Sequence, residues 1–201
     1  MKGKDLKNDI VRAAYKAFAK ADYKQVSTNQ IVQDANVSKG LLFHYFKNKQ
    51  TLYISLYEMA WSLIHRDIFT DFPQANHDAF DRLMEMIVRK TDSMIKHQTI
   101  TAFIKRVHMN TMPDIVKART QIYQSFQQRN YKRVFDQIDK SLFKDDQHLD
   151  EIFKVVTWTF NKITHDWERN HAKKEPSDAL KILKSELEHY LVFFKTYFYK
   201  A

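Results

Sequence analysis

Thr28 to Leu52 reads TNQIVQDANVSKGLLFHYFKNKQTL. Its apolar positions form two short helical sets. Ile31, Val32 and Ala35 mark the first, with Ser27 or Thr28 as its cap. Asn36 then interrupts, a residue that accepts positive φ more readily than most. Val37 turns back toward the small core. Ser38 caps the second set, Lys39 to about Phe46, whose inner side is Leu42, Phe43 and Phe46. In front lies Leu6, Ile10, Ala13, Ala14, Ala17, Phe18 and Ala21, one helical face that begins at Asp5 and stops near Ala21-Asp22-Tyr23. Asp22 suits that stop because Asp tolerates the left-handed region. Two short helices joined by a tight turn behind a third helix make a helix-turn-helix.

Helical periodicity continues past this head. A long helix is predicted over Lys49–Thr70, with Leu52, Leu56, Met59, Leu63 and Ile64 inside and Pro73 in the loop beyond. Further helices are predicted over 76–97, 99–110, 113–142, 147–171 and 177–199, with Pro113 and Pro176 at two helix starts. The expected fold is all-α with about nine helices. A three-helix head spans residues 1–50 and a larger helical body spans 51–201.

Composition narrows the chemistry. The chain has 201 residues but two glycines, Gly3 and Gly40. A phosphate-binding loop, a dinucleotide fingerprint or a nucleophile elbow needs two or three glycines in one short window, so none is present. Cysteine is absent, which removes disulfides and thiolate metal sites. MKGKDLKNDIVRAAYKAF lacks a continuous apolar segment, and no uncharged apolar run approaches the ~18 residues of a membrane helix. A cytoplasmic protein is expected. The first fifty residues hold ten lysines and arginines against four aspartates, a net +6 of the chain's +9. A basic head points to a polyanionic partner.

The head resembles the DNA-binding domain of the TetR family of bacterial transcription regulators. Thr28, Ile31, Ala35, Val37, Ser38, Gly40, Leu42, Tyr45, Phe46, Lys49 and Leu52 match the family pattern. Val32, Asn36, Leu41 and Phe43 depart from it; the last two each remove a hydroxyl that could reach a phosphate. The resemblance implies double-stranded DNA as partner. The second short helix would enter the major groove by its N-terminal end. Ser38 would bond a phosphate, Lys39 would read a guanine edge, and Gly40 would let the backbone approach the duplex. Leu41 lies at the same end. His44 and Tyr45 would reach flanking phosphates one turn on. Lys49, at a helix start, would attract another, and Thr28 and Asn29 would hold the opposite strand's backbone.

The resemblance also implies a homodimer built from the last two helices, a palindromic operator, and release by a small-molecule effector, most often from repression. Residues 149–167 and 180–198 are more apolar than one internal face requires: Leu180, Leu183, Leu187, Tyr190, Leu191, Phe194 and Phe198 form a stripe, with Val192, Phe193 and Tyr197 off it. Trp61, His65, Phe69, His108, Met109, Met112, Tyr123 and Phe126 are candidate pocket residues, because Met and aromatic side chains suit an adaptable apolar site. The alternative on the same scaffold is a DNA-bound adaptor controlled by a protein partner. Glu168-x-x-His171 and Glu186-x-x-His189 share the spacing of a carboxylate-bridged di-metal bundle. That site also needs two further inward glutamates, so surface charge is the better account. No catalytic residue, cofactor or metal is expected.

Overall fold

The computed structural model describes residues 2–75, 77–145, 148–171 and 176–200. Its described residues form nine α-helices: α1 (Lys2–Lys20), α2 (Thr28–Asp34), α3 (Lys39–Phe46), α4 (Lys49–Phe69), α5 (Ala79–Lys96), α6 (Gln98–Met109), α7 (Pro113–Phe135), α8 (Leu149–His171) and α9 (Pro176–Phe198). One 3-10 turn, Lys140–Leu142, lies between α7 and α8. Packing groups the chain into two compact units, residues 1–65 with 96–128, and residues 66–95 with 129–201.

In the first unit the head is built around Ile10, Phe18, Ile31 and Leu42, all without solvent exposure. Full burial stabilises by about 1.5–3 kcal/mol for each such side chain. Asn36 takes φ 52 between α2 and α3, as its side chain allows. Asp22 does not: among described residues only Asn36, Lys47 and Asp71 combine a side chain with positive φ. Asp22 stops α1 by accepting bonds instead. Its carbonyl receives the amides of Gln25 and Val26, and its carboxylate receives Arg106.

Aromatic contacts join α1 to α4 and α6. Phe18 and Tyr53 meet edge to face at 4.8 Å, Tyr53 and Phe103 at 5.1 Å, and Tyr15 and Phe103 at 5.3 Å. The Tyr15 hydroxyl donates to the Leu56 carbonyl at 2.6 Å. Burial raises the Tyr15 phenol well above its ordinary value, so it stays a neutral donor.

A glycine-poor chain must end its helices without glycine caps. Arginine does much of that work. Arg106 of α6 donates to the Ala19 and Lys20 carbonyls at the end of α1. Arg119 of α7 donates to the carbonyls of Val107, His108 and Asn110 at the end of α6. Each planar guanidinium thus satisfies carbonyls that lack intrahelical donors.

The second unit repeats the device. Arg89 donates to the carbonyls of Ile68, Thr70 and Asp71 behind α4. Buried Arg82 donates from Nε to Val134, from Nη2 to Arg133 and from Nη1 to Pro73. The Arg82 clamp explains why α7 ends at Phe135 and not near residue 142. After it, His77 Nδ1 meets the Gln137 carbonyl, the Asp139 amide donates to the His77 carbonyl, and Asp139 caps the 3-10 turn. Helix α5 begins later than its apolar pattern suggested, because Asp78 caps it through the amides of Phe80 and Asp81. Lys195 of α9 bridges Asp78 and Asp81 at 2.9 and 2.6 Å, and the Tyr199 hydroxyl donates to Asp78.

Helices α8 and α9 pack through Phe160 and Phe194, whose rings meet edge to face at 5.8 Å. Leu183, Leu187, Leu191 and Phe194 are buried. Val155 and Trp158 of α8, and Tyr190, Val192, Phe193 and Tyr197 of α9, are exposed, Trp158 by 68%. The off-stripe residues of α9 therefore face solvent in the single chain.

Candidate nucleic-acid interface

Local chemistry fixes how α3 is presented. Ser27 is the cap of α2, accepting the Asn29 amide at 3.2 Å; Thr28 is the first helical residue. Ser38 Oγ accepts the Leu41 amide at 3.2 Å and caps α3. Leu42 and Phe46 are buried on the inner side of α3. Those anchors turn Ser38, Lys39, Gly40 and His44 outward, and all four are exposed, as is Asn29. Thr28, Leu41, Tyr45 and Lys49 are half-buried.

Two contacts shape the cationic groups. Lys39 Nζ lies 5.9 Å from the Phe43 ring, which is only half-buried. Lys49 is held more firmly. Its Nζ sits 4.6 Å over the Tyr23 ring and 3.5 Å from the Lys24 carbonyl. Desolvation lowers the Lys49 ammonium below its ordinary pKa. Lys49 therefore also ties the start of α4 to the turn after α1. Tyr23 was not legible as its seat, since nothing local in sequence joins residues 23 and 49.

Between α3 and α4 the backbone makes a tight γ-turn. Lys47 takes φ 57 and ψ −52, and the Asn48 amide donates to the Phe46 carbonyl at 2.6 Å. Asn48 Oδ1 then accepts the Thr51 amide at 2.8 Å and caps α4. The sequence signal for that cap is Asn48 itself, since any residue but proline at position 51 would supply the amide.

Gly40 has a negative φ, and a Cβ built there would meet only Ser38 Oγ, at 3.9 Å. The free protein thus has room for a methyl group at Gly40.

Five of the eight pocket candidates come together in the first unit. Trp61 lies 4.6 Å from Phe126 and 5.1 Å from Tyr123 by ring centroids. His65 meets Phe126 at 5.8 Å, and His108 meets Tyr123 at 5.9 Å. Tyr57, one turn before Trp61 on α4, completes the group: its hydroxyl is 3.0 Å from His108 Nε2. Burial, with Arg119 second, lowers the His108 pKa; burial pushes Tyr57 up to about 12. Both groups therefore favour their neutral forms and share this one hydrogen bond. Phe69 belongs to the second unit, where it meets Phe72 at 5.1 Å and the Arg133 guanidinium. Met109 is 79% exposed and Met112 half-buried.

Among the described residues no three His, Asp or Glu side chains gather as a metal site. Glu186 and His189 line a shallow groove between α8 and α9 with Asp166 and Trp167, while the side chains of Glu168 and His171 lie outside the described residues. Among the described residues, no helix is long and apolar enough to cross a membrane.

An outward, capped second helix on a basic head defines a helix-turn-helix DNA-binding protein. A model of the bacterial regulatory proteins of the tetR family matches residues 10–56. The Transposon Tn10 TetC protein of Escherichia coli is 27% identical over 100 residues, 47% of this chain and 51% of that protein. The chain thus spans about half the length of that curated relative. Two solved structures share the fold over nearly the whole chain. A tetR-family transcriptional regulator from Streptomyces coelicolor has a TM-score of 0.64 at 15% identity, covering 95% of this chain and 80% of its own. A TetR-like transcriptional regulator from Rhodococcus sp. RHA1 has a TM-score of 0.65 at 14% identity, covering 93% and 96%. Residues 10–56 thus match the DNA-binding head of the tetR family, and the chain shares the fold of TetR-family transcriptional regulators.

Proposed function

We propose that the protein is a cytoplasmic repressor that binds a palindromic operator as a homodimer and leaves it when a small molecule binds. Residues 1–50 act as the DNA-binding domain and residues 51–201 as the effector-binding and dimerisation domain. The exposed N-terminal end of α3 is the observation that carries the reading. Ser38 and Lys39 offer a phosphate donor and a base-reading cation there, and Gly40 leaves the backbone bare. His44 and Tyr45 reach phosphates one turn on, Thr28 and Asn29 hold the opposite strand, and Leu41 lies against the groove. Lys49 adds a cation at the start of α4.

Dimerisation is supported by the apolar face that α8 and α9 leave uncovered. Tyr190, Phe193 and Tyr197 share one face of α9, and Val155 and Trp158 recur three residues apart on α8. A second copy would cover them and present two α3 helices to half-sites ~34–36 Å apart.

Release follows from differential affinity: an effector that prefers one arrangement of the heads shifts the population toward it. Within the first unit a path for that shift is available. The aromatic cluster contacts His108, Arg119 holds the end of α6, and Arg106 of α6 holds the end of α1. An effector that moves α6 also moves the Arg106 clamp on α1.

Selection of bound duplexes from a random DNA pool, with the mass of the complex measured in parallel, tests this function. An inverted repeat bound by two chains is expected. A non-symmetric site, a single bound chain or no enrichment contradicts it.

A further inference from the structure

We propose that the aromatic cluster of the first unit binds a planar aromatic molecule carrying an anionic oxygen acceptor, as an aromatic acid does. The proposal rests on the effector reading above and adds the ligand's chemistry.

Three observations carry it. The first is a donor without an acceptor. Trp61 is 5% exposed, and its indole Nε1 has no hydrogen-bond partner. The Tyr57 hydroxyl comes close enough to feel that N–H, but the pair does not reach hydrogen-bond geometry. A buried donor left unsatisfied costs stability, which an acceptor supplied from outside restores.

The second is charge. Arg119 acts electrostatically on both Tyr57 and His108, and no carboxylate acts on either among the described residues. An aromatic cage selects a cation when its surroundings are negative or neutral. Here the nearby charge is a guanidinium, which disfavours a cation and favours an anion. Arg119 holds the carbonyls at the end of α6 through Nη1, and its charge favours an anion beside the cluster.

The third is shape and access. Trp61, Tyr123 and Phe126 pack ring against ring, with centroids 4.6 to 6.5 Å apart. His108 is exposed and Tyr123 half-buried, so the cluster reaches solvent along that edge. A flat ring docking on that edge stacks against Tyr123 and His108 and brings its oxygen toward Trp61 Nε1.

Calorimetric titration with 2-naphthoate, 2-methylnaphthalene and 2-(aminomethyl)naphthalene tests the assignment on the full chain. Naphthoate is expected to bind at least about 10-fold tighter than either of the others, the range for one hydrogen bond to a charged group. Trp61→Phe should remove about that factor. Because Trp61→Phe could disturb packing, the wild-type protein gives a second readout. Its Trp61 indole N–H resonance in a 15N-labelled sample should move on adding naphthoate, while those of Trp158 and Trp167 stay in place. Equal binding of the three probes, tighter binding of the ammonium, an unmoved Trp61 resonance, or no binding overturns the proposal. If naphthoate fails to bind while the selected operator is still bound, only this inference falls. If naphthoate binds as expected but leaves the operator complex intact, the ligand site stands and effector release falls.

Discussion

Replacing Gly40 by alanine separates what the fold needs from what DNA needs. Gly40 is the second residue of α3, has a helical backbone, and faces open space except for Ser38 Oγ at 3.9 Å. That distance is ordinary van der Waals contact, so the methyl group fits the free protein without displacement. Alanine in place of helical glycine is worth about 0.5–1 kcal/mol. For a chain of this size that raises the melting temperature by about 1–4 °C. On the duplex the same methyl must enter a close-packed contact, where overpacking costs about 1–3 kcal/mol. The net is an operator affinity lower by about 5- to 150-fold. Calorimetric melting and fluorescence anisotropy on the selected operator, at one fixed salt concentration, measure the two effects on one preparation. Higher stability with weaker binding is expected. Higher stability with unchanged binding would mean that the start of α3 does not approach DNA, and lower stability would refute the reading of free space around Gly40.

Four further outcomes are expected. Lys39→Ala should relax preference at one base position in each half-site by about 1–3 kcal/mol; repeating the selection with the variant checks it, and an unchanged consensus removes Lys39 as a base reader. At position 47 glycine should outstabilise alanine by about 1 kcal/mol in chemical denaturation, the reverse of a helix interior, because φ 57 strains any residue with a Cβ. Arg106→Ala leaves the Ala19 and Lys20 carbonyls without their donor and should cost about 1–3 kcal/mol; Arg106→Lys should recover little, since an ammonium cannot span both carbonyls and Asp22 at once. Since His108 binds its proton less readily folded than unfolded, the unfolded state takes up more protons as pH falls through about 6.5. Stability should therefore decline from pH 7 downward until the folded residue also titrates, and thermal melts of His108→Gln should show a flatter decline.

The head was legible because its signals are local. Ser38, Asn36 and the Leu42–Phe46 anchors each act within a few residues, and the family match covers this same region, residues 10–56. The off-stripe position of Val192, Phe193 and Tyr197 was also readable from period alone, and those residues are exposed. Helix ends were less legible. Arg82 and Arg106 terminate α7 and α1 across about 50 and 90 positions of sequence, where no periodicity reports them. The ring cluster was only partly legible for a related reason. Met109 and His108 are neighbours on α6, and composition alone could not tell that Met109 meets solvent while His108 meets Tyr57.

The chain contains no cysteine, so a single introduced thiol can carry a DNA-cleaving iron chelate to a known place. Gln33→Cys puts it on exposed α2 surface just before the Asn36 turn, and Glu188→Cys puts it on exposed α9 surface as a control. If α3 lies in the major groove, the chelate at position 33 cuts the bound operator at two symmetric places about one helical turn apart, and the chelate at position 188 leaves it intact. Cutting from position 188, or none from position 33 on DNA that remains bound, would contradict the placement of α3.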